Sequence, residues 1–310
     1  MKTFSKIELD LQKTIFKRVF ELSNNHFSYN QIIKQIKKEF SVKLNKSNLS
    51  YWFNHEVKLI GGINQFEAKP SSELAYVIGV LFGDGSIFFH KKKSDYAVRV
   101  DAIDKDFVEH FSKCVSKVLN KDKNYAVVSF KQKAMTSVMY STKARSKKLY
   151  YFIKELKEDF EKVKPFAHAF PKEFIQGVAD SEGCPVVFAR TNFGVRVIVA
   201  VSVNKELLEF ILILLNKFNI KSNLFLSKKA GMSDSIINGR IITRTKNLYG
   251  LQISNFLDIK KYSVEIPFNI LRKRKKLFDA IFALEDPSVG SPIDFWLDNY
   301  EKRSNQWFVK

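Results

Sequence analysis

Two apolar stretches of the chain share one arrangement: each has the length of a helix, contains a glycine near its middle, and ends in an acid followed by glycine. They occupy residues 74–85 and 174–183. When Asp84 is aligned with Glu182, 98 positions later, the internal and the terminal glycines also align. Two such helices can pack face to face where glycine lets their backbones approach closely. The pattern therefore predicts a pair of buried helices whose acidic ends lie side by side.

The internal glycines, Gly79 and Gly177, stand five positions before the two acids. We expect them to meet where the helices cross, so that Asp84 and Glu182 become neighbours. Paired carboxylates hold divalent metals. An acid at the carboxyl end of a helix opposes the helix dipole, which makes it a poor choice for stability alone. This favours a functional role for the two acids over a helix cap.

The pattern that follows each motif is the same in both copies. Alternating apolar and polar residues, as in Tyr96–Ala102, are typical of a strand with one buried face. The order motif helix, hairpin, helix, hairpin, helix therefore occurs twice, which indicates an internal duplication of an α+β unit. The predicted strands and helices are at 86–89, 96–103, 105–119, 125–141 and 146–160 in the first copy, and at 185–190, 194–203, 205–218, 223–253 and 255–262 in the second.

The first 65 residues predict a small helical unit. Apolar residues recur at helical spacing over 6–22, and Ser28 can cap a second helix. Ser47 can cap a third helix at 48–55, after a short link at 41–46. Three short helices with a tight link before the last one are typical of a helix-turn-helix.

The charge of the chain indicates a polyanionic partner. Lys and Arg total 52 against 32 Asp and Glu, a formal net charge of +20 with a pI near 9.7. Nucleic acid is the simplest partner for such a surface, although a merely solvated basic surface has the same composition. In the N-terminal unit, Lys46 and Asn48 are polar groups suited to phosphates and base edges. A three-helix packing module with a solvated polar face is the alternative there.

Other features bear on the compartment. Cys114 and Cys184 do not form a CxxC pair, so neither a zinc site nor a disulfide framework is predicted. Residues 1–6 lack the apolar core of a signal peptide, and the apolar run at 210–215 is too short for a membrane span. We expect a protein of the cytoplasm or of an organellar matrix, neither secreted nor bound to a membrane.

The patterns also divide the chain into domains. A basic helix is predicted from Pro267 to Leu284, and no role is assigned to Phe295–Lys310. The predicted divisions are a helix-turn-helix-like domain at 1–65, a linker at 66–72, a first repeat at 73–165, a second repeat at 166–265, and a C-terminal basic helix and tail at 266–310.

The two motifs and the repeated pattern resemble the LAGLIDADG homing endonucleases, in the form that carries two repeats in one chain. Val77–Gly85 and Ile175–Gly183 match the family motif, and the resemblance runs from about Ser72 to Leu277. Ser146–Phe152 is similar to the segment that closes the first half of two-repeat members. The resemblance implies an α+β fold of two pseudo-symmetric αββαββα repeats, with the motif helices at the centre and two saddle-shaped antiparallel sheets over DNA.

In this family the last acid of each motif supplies metal ligands. The resemblance therefore implies Asp84 and Glu182 as catalytic, metal-binding acids, with the adjacent backbone at Gly83 and Ser181 in the same shell. Cleavage of a phosphodiester needs a metal to activate water and neutralise charge. Hard oxygen ligands favour Mg²⁺, so the expected cofactor is two or more divalent ions, with Mg²⁺ preferred. Asp180, which has a phenylalanine as its counterpart in the first motif, is expected to be structural.

One feature of the family has no direct counterpart in this sequence. Active members commonly place Lys or Gln near the end of the second strand, where this sequence has Ile103 and Val203. The nearest basic residues, Lys105 and Lys205, stand two positions further on. Either the alignment slips, or another base substitutes, or catalysis is impaired.

The sheets of such a fold are expected to read DNA through alternating strand residues, since a β-ribbon fits the major groove. Basic loops are expected to hold the phosphate backbone, which makes affinity depend on salt. The pattern does not decide which sheet face meets DNA. The candidate DNA-binding residues are Arg99, Arg190, Asn192, Arg196, Lys131, Lys133, Arg240, Arg244, Lys91 and Lys92, with Lys46 and Asn48 in the N-terminal unit.

These observations predict a monomeric, Mg²⁺-dependent endonuclease that cuts both strands of a specific DNA site, with the helix-turn-helix extending that site. The apolar residues Ile103 and Val203 motivate an alternative. This is a catalytically impaired binder on the same fold, either a splicing maturase that acts on intron RNA or a DNA-binding regulator. A third hypothesis abandons the resemblance and predicts a basic two-domain scaffold without tight nucleic-acid binding.

Overall fold

The computed structural model describes residues 2–4, 7–54, 66–90, 95–131, 137–237, 240–303 and 306–310. The chain folds as two compact units, Met1–Gln65 and Phe66–Lys310. Among the described residues, no helix has the length and apolar character that a membrane crossing requires.

The N-terminal unit has one apolar core. Ile15, Ile32 and Leu49 come from three different helices, and all three are fully buried. The elements of this unit are β1 (Lys2–Thr3), α1 (Leu9–Asn24), α2 (Tyr29–Phe40), β2 (Val42–Lys43) and α3 (Lys46–Asn54).

The link between α2 and α3 differs from the prediction in two respects. Ser41 ends α2 in the left-handed region, with φ at 54°, and the chain then forms β2, which pairs in parallel with β1. The third helix begins at Lys46, because the Asn48 amide already donates to the Asn45 carbonyl oxygen at 3.0 Å. Ser47 therefore lies within the first turn of α3 and is not its cap.

The second unit repeats one order of elements, helix, hairpin, helix, hairpin, helix, and so confirms the predicted α+β duplication. The first repeat consists of α4 (Ser72–Phe82), β3 (Ser86–His90), β4 (Asp95–Ala102), α5 (Lys105–Val118), β5 (Val127–Phe130), β6 (Met139–Arg145) and α6 (Lys147–Glu158). A 3₁₀ turn at Phe160–Val163 and α7 (Lys164–Ala169) lead to the second repeat. That repeat consists of α8 (Pro171–Glu182), β7 (Cys184–Ala189), β8 (Phe193–Ser202), α9 (Lys205–Lys217), β9 (Asn223–Lys228), the added hairpin β10 (Ser233–Ile237) and β11 (Arg240–Thr243), β12 (Leu248–Ile253) and α10 (Phe256–Glu265).

Each repeat forms a four-stranded antiparallel sheet, in the order β3-β4-β6-β5 in the first and β7-β8-β12-β9 in the second. Successive side chains of a strand point to opposite faces. Val98 and Val197 are fully buried in the common core. Their neighbours Arg99 and Arg196 therefore lie on the opposite faces, which we call the open faces of the two sheets.

The C-terminal tail completes the second repeat, although no role was predicted for its last part. Trp296 is fully buried and packs with Tyr300 against Val187 and Ala189 of β7. The Trp307 indole nitrogen donates to the Val187 carbonyl oxygen at 3.1 Å. The tail elements are α11 (Leu271–Glu285), a 3₁₀ turn at Pro287–Val289, α12 (Pro292–Asn299), β13 (Tyr300–Arg303) and β14 (Gln306–Val309).

The tail helix begins four residues later than predicted, at Leu271 rather than Pro267. The intervening residues contact the second motif helix instead. The Gln176 side-chain amide donates to the Pro267 carbonyl oxygen at 2.8 Å. The Asn269 backbone amide donates to Asp180 at 2.9 Å. These long-range contacts hold the segment outside the helix, which starts only after them.

Candidate two-acid metal site and nucleic-acid surface

The two motif helices, α4 and α8, cross at their internal glycines. A Cβ atom built on Gly79 would lie 2.4 Å from the Phe174 carbonyl oxygen and 3.1 Å from the Gly177 Cα. One built on Gly177 would lie 2.4 Å from the Tyr76 carbonyl oxygen. Real Cβ atoms do not approach backbone atoms this closely, so glycine at both positions lets the helix backbones touch.

The helix ends meet one turn further on. Helix α4 ends at Phe82, and Gly83 leads into the turn that carries Asp84. A Cβ atom on Gly83 would lie 2.4 Å from Ser181 Cβ and 3.2 Å from Glu182 Cγ. Gly83 therefore lets the turn after α4 pack against the last turn of α8. The Ser181 hydroxyl itself donates back to the Gly177 carbonyl oxygen at 3.0 Å.

The electrostatics of the two acids fit their close placement. Asp84 is exposed and Glu182 is half-buried. Burial among the surrounding protein atoms is the main cause that raises the pKa of each carboxyl group. The negative charge of Asp84 raises the pKa of Glu182 further. Each acid thus carries an electrostatic cost when it is ionised, as is common at functional sites.

The donor set suits a hard divalent cation. The described residues contain no group of three or more His, Cys, Asp or Glu side chains that could hold a metal by themselves. Mg²⁺ is usually bound through one or two carboxylates, with water and substrate phosphate oxygens completing its shell. Asp84 and Glu182, open on one side, offer such a partial shell.

Asp180 is buried behind the site and is only 1% exposed. Its carboxylate accepts hydrogen bonds from the Tyr76 hydroxyl at 2.9 Å, and from the backbone and side-chain amides of Asn269 at 2.9 and 3.0 Å. Burial raises the pKa of Asp180, and these hydrogen bonds oppose that shift. Asp180 therefore links the first motif helix, the second motif helix and the start of the tail.

Lys273 of α11 is the functional candidate that the sequence analysis did not single out. It is 7% exposed, and its Nζ donates to the carbonyl oxygens of Asp180 at 2.5 Å and Ala179 at 3.4 Å. Its positive charge lowers the pKa of both Asp84 and Glu182, while burial lowers the pKa of Lys273 itself. Lys273 stands four positions before the buried Leu277, so helical spacing alone places it on the buried stripe of α11.

The residues at the strand ends, where the family commonly has Lys or Gln, are apolar and half-exposed. Ile103 and Val203 are 52% and 49% exposed. Lys105 pairs with Glu109 at 3.0 Å within α5, and Lys205 pairs with Glu209 at 2.7 Å within α9. Neither lysine is thus directed to the motif acids.

The predicted DNA-binding residues occupy several places. Arg99 pairs with Asp101 at 2.8 Å on the first open face. On the second, Arg196 donates to Gln252 Oε1 at 3.3 Å and lies 4.3 Å from the centroid of the Phe188 ring. The remaining candidates are Arg190 and Asn192 in the exposed β7–β8 turn, Lys131 exposed after β5, Arg244 half-buried after β11, and Lys46 and Asn48 in the first turn of α3. Lys91, Lys92, Lys133 and the side chain of Arg240 lie outside the described residues.

Two glycine-ended helices that cross at the centre of a duplicated α+β fold, with an acid at each exit, define a protein class. The chain contains a domain of the LAGLIDADG-like family. The model of the LAGLIDADG-like domain matches residues 169–263. The chain is similar to the uncharacterized protein MJ0398 of Methanocaldococcus jannaschii, with 33% identity over 260 residues that cover 84% of this chain and 90% of that protein. It is also similar to the uncharacterized protein MJ0314 of the same organism, with 28% identity over 60% of this chain and 69% of that protein.

The chain is also similar to solved structures, at lower identity. The homing endonuclease I-DmoI matches with 21% identity and a TM-score of 0.43, over 63% of this chain and 95% of its own. The LAGLIDADG homing endonuclease I-GzeII, solved in complex with its DNA target, matches with 12% identity and a TM-score of 0.45, over 77% of this chain and 100% of its own.

Proposed function

We propose that the protein is a site-specific, divalent-metal-dependent endonuclease that cuts both strands of DNA. The observation that carries the proposal is the meeting of Asp84 and Glu182, one from each repeat, at the carboxyl ends of the crossed motif helices. A site built from two equivalent halves can act on the two strands of a duplex, which is itself near-symmetric. The net charge of +20 supports a polyanionic substrate.

In this proposal the chain's own residues form and shape the site. The carboxylates of Asp84 and Glu182 are the ligands, and the backbone oxygens of Gly83 and Ser181 are the neighbouring donors. A divalent ion bound there supplies a Lewis acid that activates water and neutralises charge on the scissile phosphate. The close packing of Gly83 against Ser181 fixes the backbones that carry the two acids relative to each other.

The open faces of the two sheets are the proposed DNA surface. Arg99 and Arg196 stand on these faces, and the turn residues Arg190 and Asn192 extend the second. In the N-terminal unit, we propose that Lys46 and Asn48, in the first turn of α3, contact flanking DNA in the manner of a helix-turn-helix.

We expect Arg196→Ala to weaken binding to a non-specific duplex about tenfold at low salt, and to reduce the slope of log K against log salt by about 1. Arg99→Ala is expected to have a smaller effect, because Asp101 already compensates the charge of Arg99 at 2.8 Å, whereas the described partners of Arg196 are neutral. Fluorescence anisotropy at several salt concentrations measures both quantities.

The two arginine variants together show which assumption is wrong if the prediction fails. Equal losses in both variants would show that charge pairing on the open face does not govern affinity. Unchanged binding in both would show that the open faces are not the DNA surface.

A second candidate function is favoured by the strand ends. Ile103 and Val203 expose aliphatic side chains where active members of the family commonly carry Lys or Gln, and Lys105 and Lys205 are held by helix ion pairs. These features suit a nucleic-acid binder on the same fold that has lost cleavage, either a splicing maturase that acts on intron RNA or a DNA-binding regulator.

One assay decides between the two candidates. The full chain is incubated with a plasmid library of random duplex inserts in Mg²⁺ or EDTA, and the ends of linear products are sequenced. Double-strand cuts at a defined site, dependent on Mg²⁺, support the endonuclease. Selective retention of inserts without any cutting, in Mg²⁺ and also in Mn²⁺, supports the binder.

A further inference from the structure

The start of the C-terminal tail contacts both repeats around the two-acid site. We call residues 267–273 the tail segment. Besides its contacts with α8, the tail segment also bonds to the first repeat. The Leu271 backbone amide donates to the Asp106 carboxylate at 2.6 Å. The Arg272 guanidinium makes two bonds to Asp104, at 3.0 and 2.8 Å. A bidentate arginine–carboxylate pair has a defined geometry, so the tail segment is fixed to both repeats.

These contacts place Lys273 at the carboxyl end of α8. The last carbonyl groups of a helix have no partner within the helix, and a cation there is favourable. Lys273 Nζ bonds to the Asp180 carbonyl oxygen and, at 3.4 Å, to that of Ala179, which also accepts a hydrogen bond from the Gly183 amide. Its burial means that it does not reach outward to a substrate from this position. Any effect of Lys273 on a substrate or a metal ion must therefore be indirect, through the residues that surround it.

The charges around the second motif's exit are unbalanced without Lys273. Asp84, Asp180 and Glu182 contribute three carboxylates, and the lysines at the helix starts, Lys105 and Lys205, are paired elsewhere. Asp180 is buried, Glu182 is half-buried and Asp84 is exposed. The two more buried carboxylates need compensation, since unpaired buried charge is strongly destabilising. Among the described residues, Lys273 places its ammonium group on the Asp180 carbonyl oxygen, two positions before Glu182 and next to Ser181, against which Gly83 packs.

We propose that Lys273 is the resident counter-cation of the two-acid site: its ammonium group balances Asp84, Asp180 and Glu182 in the metal-free protein and competes electrostatically with a divalent ion. Lys273 is thus a positioning residue, which acts through the acids. The inference rests on the proposed metal site. It goes beyond that site because it makes the C-terminal tail, outside the two repeats, part of the metal-binding equilibrium.

The test uses Lys273→Gln in the full chain, because glutamine keeps a hydrogen-bond donor near the end of the side chain but has no charge. In EDTA, we expect the variant to unfold about 5–10 °C below wild type in a calorimetric scan. Mn²⁺ should recover most of that loss. In a Mn²⁺ titration followed by electron paramagnetic resonance, the variant should bind the ion roughly fivefold more tightly or better, because the competing charge is gone.

Lys275→Gln is the matched control. Lys275 lies on the same helix, is exposed, and pairs with Asp279 at 2.6 Å within it. We expect this variant to match wild type in its Mn²⁺ affinity and in the thermal shift that Mn²⁺ causes.

Two results would overturn the role of Lys273 as counter-cation. If Lys273→Gln binds Mn²⁺ as wild type does, or loses stability that Mn²⁺ does not restore, Lys273 serves only to cap and pack α8, and the proposal is overturned. A variant that fails to fold in both EDTA and Mn²⁺ overturns it equally.

A third variant distinguishes this failure from failure of the proposed function. Asp84→Asn should abolish tight Mn²⁺ binding in the wild-type and the Lys273→Gln backgrounds. If Asp84→Asn leaves Mn²⁺ binding unchanged, the two-acid metal site itself is wrong. If it abolishes binding while Lys273→Gln changes nothing, only the role of Lys273 is wrong.

Discussion

Asp84→Asn and Glu182→Gln are each expected to lower the rate of metal-dependent DNA cleavage by about 10³-fold or more, equivalent to ~4 kcal/mol of transition-state stabilisation. Each change keeps the size of the side chain but replaces a charged oxygen ligand with a neutral amide. DNA affinity should remain close to that of wild type, because the proposed phosphate and base contacts lie on the open faces. Single-turnover cleavage of a selected target and anisotropy in Ca²⁺ measure the two effects separately.

The same two variants should be at least as stable as wild type in EDTA. The pKa of each acid is raised in the folded protein. A carboxyl group with a raised folded-state pKa stabilises the fold in its protonated form, and this contribution is lost as pH rises through the folded-state value. At neutral pH the ionised acids therefore oppose folding, and a neutral amide removes that cost. A stable but inactive variant is the combination expected for residues retained for function.

Asp298→Asn provides the control for these variants. It removes a carboxylate of the same kind from an exposed position on α12, and we expect wild-type cleavage, binding and stability. Cleavage at the wild-type rate by either motif-acid variant would contradict the assignment of Asp84 and Glu182. A marked loss of stability in EDTA would contradict the electrostatic argument, even if cleavage were abolished.

The duplicated fold could be predicted from local patterns because its elements carry their own signals. The alternation at Tyr96–Ala102 indicates a strand, and the apolar runs of the two motifs indicate buried helices. Each signal is contained within a few neighbouring residues. The common placement of the two motifs, with glycine five positions before an acid, then predicts which helices meet. The helix-turn-helix interpretation of the N-terminal unit rests on the same kind of local signal.

The tail could not be predicted in this way because its partners are distant in sequence. Trp296 packs against Val187 and Ala189, more than a hundred positions earlier, and no periodicity of the tail indicates such a surface. Lys273 illustrates a different limit. Its place on the buried stripe of α11 is visible in the sequence, but a run of basic residues is usually interpreted as a solvated face. Only the contact with the end of α8 shows that one of these charges is buried beside the motif acids.

Gly177→Ala is expected to destabilise the second unit by about 3 kcal/mol or more, despite the better helix propensity of alanine. The added methyl group would lie 2.4 Å from the Tyr76 carbonyl oxygen and 2.9 Å from the Val80 nitrogen. Both atoms belong to the backbone of α4, so no side chain can rotate away and the helices must separate. For a unit of this size the melting temperature should fall by about 6–12 °C, which a calorimetric scan measures.

Gly194→Ala is the matched control for this helix contact. A methyl group there would meet only Phe188 Cδ2, at 3.9 Å, which is an ordinary van der Waals contact. We expect its melting temperature to stay close to that of wild type. Because separation of α4 from α8 also moves Gly83 away from Ser181, Gly177→Ala should lose Mn²⁺ affinity at temperatures where it remains folded. A variant that kept both its stability and its Mn²⁺ affinity would show that the two acids do not depend on the glycine crossing for their positions.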